Sequence, residues 1–376
     1  MNLWRKAAAL ILSLCLCLPL AGCGYQELAE RLLIHGIGVD VGEDGGFLVS
    51  VRSSFSTGDE GEEYFTAQGD SVLEALSSLS LSTGRGPFYS HNYLVVFGRE
   101  CAEQGLDRCL DFFVRYYNTR PAVQVFLAAG TAEEVLSAQK DGRYWKMSEL
   151  QEVGGSGRYN GMVPRVELLD FVNGAKRPGS SPLLPVLEVT EDGPRAAGSA
   201  YFQGYTLAGF LTLEQTRGCL TLGEGLANGE ALVEDGAGGK VTLTLSSGAA
   251  KIQADWQPGE APSFTIQVKA QGDVSAISGG RDRLAGELYA ALERQAAALL
   301  QGEMESAIRQ AVKQDRCDIF GFGNLLYQRF PERWRQASGD WPALMAQASY
   351  QVEVSAKVLR LEQEVAGAPA GQEMLP

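Results

Sequence analysis

Hydrophobic and polar positions change period repeatedly along this chain, and each change marks an element. Leu33-Ile34-His35-Gly36-Ile37-Gly38-Val39-Asp40 is apolar and β-branched and predicts a strand. Glu43-Asp44-Gly45-Gly46 is a turn signal, and Phe47 to Phe55 reads as the second arm of a hairpin. A short strand follows at Tyr64-Phe65-Thr66-Ala67. From Ser71 to Leu81, Val72, Ala75, Leu76 and Leu79 fall at helical spacing, with Ser71 and Glu74 as a capping box and Thr83-Gly84 as the end. The apolar run Tyr93 to Gly98 predicts a buried strand. Residues 99–117 predict an amphipathic helix through Cys101, Leu106, Cys109, Leu110, Phe113 and Val114, and Pro121 to Ala129 a further strand. Thr131 and Glu134 cap a short helix. Strand and helix alternating over residues 33–140 predict a layered α/β sandwich.

The rhythm then weakens. Between residues 141 and 197, Gly154, Gly155, Gly157, Pro164, Pro178, Pro182, Pro185 and Pro194 punctuate the chain, with one helix expected at Val166 to Val172 and one strand at Leu183 to Val189. This stretch reads as a small middle domain or an elaborated connection. From residue 198 the period becomes two. Gly198 to Phe202 and Thr206 to Phe210 form a hairpin, and Thr212 to Gln215 opens a short helix. Strands are expected at Glu230 to Val233, Lys240 to Trp256, Ser263 to Val274 and Tyr350 to Leu359. Helices are expected at Asp282 to Gln314 and Asp318 to Phe330. The fold class is α+β, with mixed sheets and packed helices and a C-terminal domain of antiparallel-rich sheet with long helices. The expected division is 1–22, 23–140, 141–197, 198–362 and a disordered Ala/Gly/Pro-rich tail over 363–376.

The first residues carry the strongest processing signal. Arg5 and Lys6 precede an apolar run from Ala7 to Leu20, and Leu20-Ala21-Gly22-Cys23 reads as a lipobox. Residues 1–22 are then a signal peptide, and Cys23 is the lipidated first residue of the mature chain. Residues 24–32 read as a short helical lead-in. The competing reading is an ordinary secretory signal with a chance cysteine near the cut. Composition changes the picture in two ways. Net charge is −14 over the full chain. Loss of Arg5 and Lys6 leaves 30 basic against 46 acidic residues, or −16, which argues against nucleic acid and a polybasic lipid contact. After Cys23 only Cys101, Cys109, Cys219 and Cys317 remain, too scattered for a disulfide framework.

Candidate chemistry is sparse. His35 and His91 are the two histidines, so neither a zinc site of the usual kind nor a Ser–His–Asp triad is expected. Gly36 and Gly38 lack the third glycine of a dinucleotide loop and sit inside a strand, where glycine permits close backbone approach. Ser137-Ala138-Gln139-Lys140 matches Ser-x-x-Lys without its companion motifs. No catalytic residue, metal site or cofactor is expected. Asp318-Ile319-Phe320-Gly321-Phe322-Gly323, with Tyr327, Phe330 and Trp334, places many aromatics in a short span. Asp318 is the expected N-cap of the following helix, and Gly321 is expected to allow close approach to a strand. The aromatics fit packing of this helix onto the C-terminal sheet, or docking of a partner.

Taken in order, these stretches resemble the Ger(x)C lipoproteins, the C subunits of spore-germination nutrient receptors. The resemblance runs through Cys23, Gly36 to Asp40, Gly69 to Arg85, His91 to Gly98, Gly198 to Gly218 with its Glu-Thr-Arg-Gly-like turn, and Asp318 to Trp334. It departs at Gly24-Tyr25, where the family commonly has Trp-Asp, and is loose over 141–197. The resemblance implies a three-domain α+β lipoprotein on the outer face of the spore inner membrane. It also implies A-type and B-type receptor subunits as partners and no enzymatic activity. A lipid-anchored extracytoplasmic protein that binds a small molecule itself is the alternative; it predicts two similar lobes around a cleft, whereas the halves of this sequence differ in pattern.

Overall fold

The computed structural model describes residues 31–54, 61–116, 122–234, 239–278 and 286–359, together with Trp4. The expected lipobox with Cys23, residues 24–30 of the lead-in, Phe55, Asp282 and the expected tail lie outside the described residues. Arg31 and Leu32, read as the end of the lead-in helix, already belong to the first strand.

That strand, β1 (Arg31–Val41), pairs antiparallel with β2 (Phe47–Ser54), and β2 pairs antiparallel with β3 (Glu63–Gly69). On its other edge β1 runs parallel to β4 (Gly86–Phe88) and then to β5 (Leu94–Phe97), which runs parallel to β6 (Gln124–Ala128). Strands β7 (Gln139–Lys140) and β8 (Arg143–Tyr144) make a small separate ribbon. β9 (Leu183–Thr190) returns alongside β6 in parallel, and β10 (Gly193–Gln203) and β11 (Thr206–Leu211) extend the sheet antiparallel. The order is β11-β10-β9-β6-β5-β1-β2-β3.

Every residue of β5 and β6 is buried, as central parallel strands covered on both faces must be. Val95, Phe97, Val125 and Leu127 face one core with helices Val72–Thr83, Asp107–Arg115 and Leu168–Lys176. Leu94, Val96, Phe126 and Ala128 face the other with Ala132–Ser137 and Met147–Gly154. The expected helix over 99–117 is two, Arg99–Gln104 and Asp107–Arg115. Gly105 takes φ +110 between them, and the Leu106 N–H leaves for the Tyr205 carbonyl (2.9 Å).

Residues 141–197 do not stand as a unit of their own. They supply β9, the first part of β10 and helices on both faces of the first sheet. The Gly198 hairpin, expected in the C-terminal domain, also belongs to this sheet. Leu184 and Val186 on β9 and Ala200 and Phe202 on β10 alternate into the same core as β1, so burial overrides the loop-like prolines between them.

The second sheet comprises β12 (Gly229–Glu234), β13 (Lys240–Ser247), β14 (Lys251–Asp255), β15 (Ser263–Ser278) and β16 (Ser349–Leu359). The strand expected over Lys240–Trp256 is interrupted after Ser247. β13 and β14 pair in succession with β15, antiparallel, and β16 pairs with it in parallel. Val241, Leu243, Leu245, Ile266 and Val268 face Leu292, Ala296, Leu300 and Met304, which recur every fourth residue on helix Gly286–Ala307. The helix continues as a π-helical segment, Ile308–Gln314. Helices Phe322–Arg329, Pro331–Ala337 and Trp341–Gln347 precede β16; the last two were not expected from the sequence. The chain is thus mixed α and β, with an antiparallel-rich C-terminal sheet and a long helix. No described helix is long and apolar enough to cross a membrane.

Candidate functional site

Asp318 sits where three segments meet, and it is buried. Its Oδ1 accepts the Phe322 N–H (2.9 Å); its Oδ2 accepts the Gly323 N–H (2.6 Å) and the Trp341 Nε1–H (3.3 Å). Its carbonyl accepts the Ser181 N–H (2.7 Å). One residue therefore fixes the start of helix Phe322–Arg329, the helix at Trp341 and the segment that leads into β9. Burial pushes the Asp318 carboxyl up to about 6, and the N–H groups of Gly323 and Phe322 and the Trp341 indole pull it partly back.

The capping expectation is right in chemistry and differs in position. Gly321 occupies the N-cap and offers no side chain, so Asp318 reaches the free N–H groups from further upstream. Gly321 does not serve close approach: a Cβ there would meet nothing within 4 Å, and glycine is needed for φ +74. Close approach belongs to Gly323, whose added Cβ would stand 2.7 Å from Trp334 and 2.9 Å from the Gly179 Cα. Gly179, Ser181 and Trp341 escaped the sequence reading, because their partners are far off along the chain.

The aromatics divide by burial. Phe322 is fully buried, its ring 4.6 Å from Phe264 and 5.0 Å from Tyr350. Trp334 and Trp341 are buried 5.4 Å apart. Phe320 is half-buried, 5.4 Å from Phe322, and Phe330 packs edge-on to Trp256. Tyr327 is half-exposed and does not join the core.

Asp40 does in the first sheet what Asp318 does beside the second. Its carboxylate accepts the Ala132 and Glu133 N–H groups (2.8 and 2.9 Å), the first turn of the helix that Thr131 and Glu134 box. Gly36 and Gly38 behave as expected: an added Cβ would lie 2.4 Å from Met147 Sδ and 3.1 Å from the Ala132 Cβ. The Glu-Thr-Arg-Gly-like stretch is helical and forms no turn. Thr212 and Gln215 box helix Leu213–Gly223, the Arg217 guanidinium pairs with Glu303, and Gly218 packs against the Glu303 backbone.

A buried seam joins the two halves. Tyr201 donates its hydroxyl to Asp315, Ser199 and Thr216 share a hydrogen bond (2.9 Å), and Tyr201, Leu211, Cys219, Ala311 and Cys317 pack together. The thiols suit packing better than nucleophilic attack. Hydrogen bonding to Cys109 and burial push Cys101 up, and burial pushes Cys219 up to about 12 and Cys317 up to about 11. Among the described residues, no group of three or more His, Cys, Asp and Glu is placed to hold a metal ion. His35 is tied to Glu62 (3.1 Å), which also pairs with buried Arg52; Arg52 donates to the Leu136 and Trp145 carbonyls. This network fastens the β7–β8 ribbon over the sheet, and no part of it was read from the sequence.

Two family models match. The spore germination protein N-terminal domain covers residues 24–189, and the spore germination B3/GerAC-like C-terminal domain covers residues 197–362. Spore germination protein KC of Bacillus subtilis (strain 168) is 21% identical over 382 residues, covering 90% of this chain and 91% of its own. Spore germination protein B3 of the same organism is 20% identical over 357 residues, covering 91% and 94%. The crystal structure of the GerBC protein superposes with a TM-score of 0.54 at 16% identity, over 86% of this chain and 97% of that one, which shows a shared fold. With both family domains present in order and together spanning most of its length, this chain belongs to the Ger(x)C family of spore germination proteins.

Proposed function

We propose that this chain is the non-enzymatic, lipid-anchored C subunit of a nutrient germinant receptor. Acylated Cys23 holds it on the outer face of the spore inner membrane, and it acts through contacts with an A-type and a B-type subunit. The observation that carries the reading is the use made of Asp40 and Asp318. The buried carboxylates of the Gly36–Asp40 and Asp318–Gly323 stretches are engaged by helix N–H groups, which occupies both in holding the fold rather than presenting them to a substrate. Membership of a spore germination family supplies the biological setting. The test is affinity purification of a tagged chain from detergent-solubilised spore inner membranes. Recovery of A-type and B-type subunits in stable proportion is expected, and recovery of the chain alone would contradict the proposal.

A further inference from the structure

We propose that the end of the first sheet at which β1 begins is the face that rests on the bilayer, with Leu81 at the interface. This rests on lipidation of Cys23. Residues 24–30 alone separate that cysteine from Arg31, and eight Cα–Cα steps span at most about 26–29 Å. Whatever path the tether takes, the start of β1 stays within that reach of the acyl chains. The far end of the same strand, by the turn at Asp44, lies about 35 Å further on.

The near end has the surface such a contact needs. Arg31 pairs with Gly86, and its guanidinium stands 5.1 Å over the Phe88 ring. Helix Val72–Thr83 ends beside it. That helix buries Val72, Ala75, Leu76 and Leu79, yet leaves Leu81 89% exposed. Ser77, Ser82, Gly84, Gly86 and Ser90 are exposed around this end. Residues 75–98 hold no Asp or Glu, in a chain that carries 46 of them. Residues 75–98 can approach lipid without desolvating a carboxylate of their own, the exposed Glu63 standing two strands away on β3, while the long side chain of Arg31 can extend to a phosphate group.

The test uses the full lipidated chain on vesicles of phosphatidylcholine and phosphatidylglycerol whose acyl chains are brominated. An environment-sensitive fluorophore is placed on Leu81→Cys or on Asp44→Cys; Cys101, Cys109, Cys219 and Cys317 are buried and leave the introduced thiol to react. Quenching of at least twofold at position 81 and none at position 44 is expected. Vesicle-bound protein with equal quenching at both sites, or quenching at 44 alone, overturns this orientation and leaves the anchor standing. A chain that stays in the supernatant overturns the anchor and the orientation together.

Discussion

Asp318 gives both carboxylate oxygens to N–H groups at the start of one helix, and Asp40 does the same from β1 for the helix at Ala132. A helix N-terminus has unpaired donors and a positive dipole end, so a buried carboxylate there satisfies both needs at once. The cost of burial remains visible in the raised proton affinity of Asp318. Its folded value of about 6 stands above the ordinary 3.8, so the native state holds this proton more tightly than the unfolded chain. The resulting stability is fully present below pH 4 and is lost as pH rises through about 6. Asp318→Asn does not titrate and adds a constant penalty of its own. Urea unfolding should show wild type losing on the order of 2 kcal/mol relative to Asp318→Asn between pH 4 and pH 7. A difference that is the same at both pH values would refute the assignment. The Asp318 cap was legible in the sequence because its helix starts four residues on. The Asp40 cap was not, because its donors lie 92 and 93 residues away. Glycine was legible as a need in the Asp318 stretch, but only the fold separates the φ demanded at Gly321 from the contact made at Gly323.

Helix Phe322–Arg329 shows what holds the C-terminal elements together. Phe322 projects from its first turn against the stacked rings of Phe264 on β15 and Tyr350 on β16, with no solvent exposure. Truncation there removes a ring from the centre of the cluster. Phe322→Ala should therefore cost about 3–5 kcal/mol in denaturant unfolding. Unchanged stability, with loss of receptor assembly in spores, would instead make this face a docking surface. Most elements followed from period alone: Val241, Leu243 and Leu245 alternate inward as the sequence indicates, and the Ser71 and Thr131 caps form as read. The breaks did not follow. Arg99 to Arg115 keeps a helical apolar pattern across Gly105, and only the Leu106–Tyr205 hydrogen bond shows why the helix divides. The ribbon at Gln139–Tyr144 depends on Arg52, distant in sequence, for its anchorage.

At the scale of the whole molecule, the sequence pattern suggested three parts, and the sheets organise two. β9, β10 and β11 close the first sheet although they follow a Pro- and Gly-rich stretch that reads as a connection. Pairing across such a distance leaves no local trace, whereas the packing of Leu184, Val186 and Phe202 with β1 decides it. The seam of Tyr201, Leu211, Cys219 and Cys317 then couples the halves. Such a body, with net charge −16 once Arg5 and Lys6 are removed, gains little from an anionic lipid surface. Insertion of Leu81 alone would contribute only about 1.5–3 kcal/mol, so under the proposed anchoring durable attachment would fall to acyl chains on Cys23. The most direct measurement is fractionation of the wild-type chain and of a Cys23→Ala chain in which residues 1–22 are replaced by an ordinary cleavable secretory signal, each expressed without other receptor subunits. Wild type should sediment with membranes, and Cys23→Ala should appear in the soluble fraction with the same circular dichroism and melting temperature as a chain starting at Gly24. Cys23→Ala that remains with the membranes would contradict the lipid anchor.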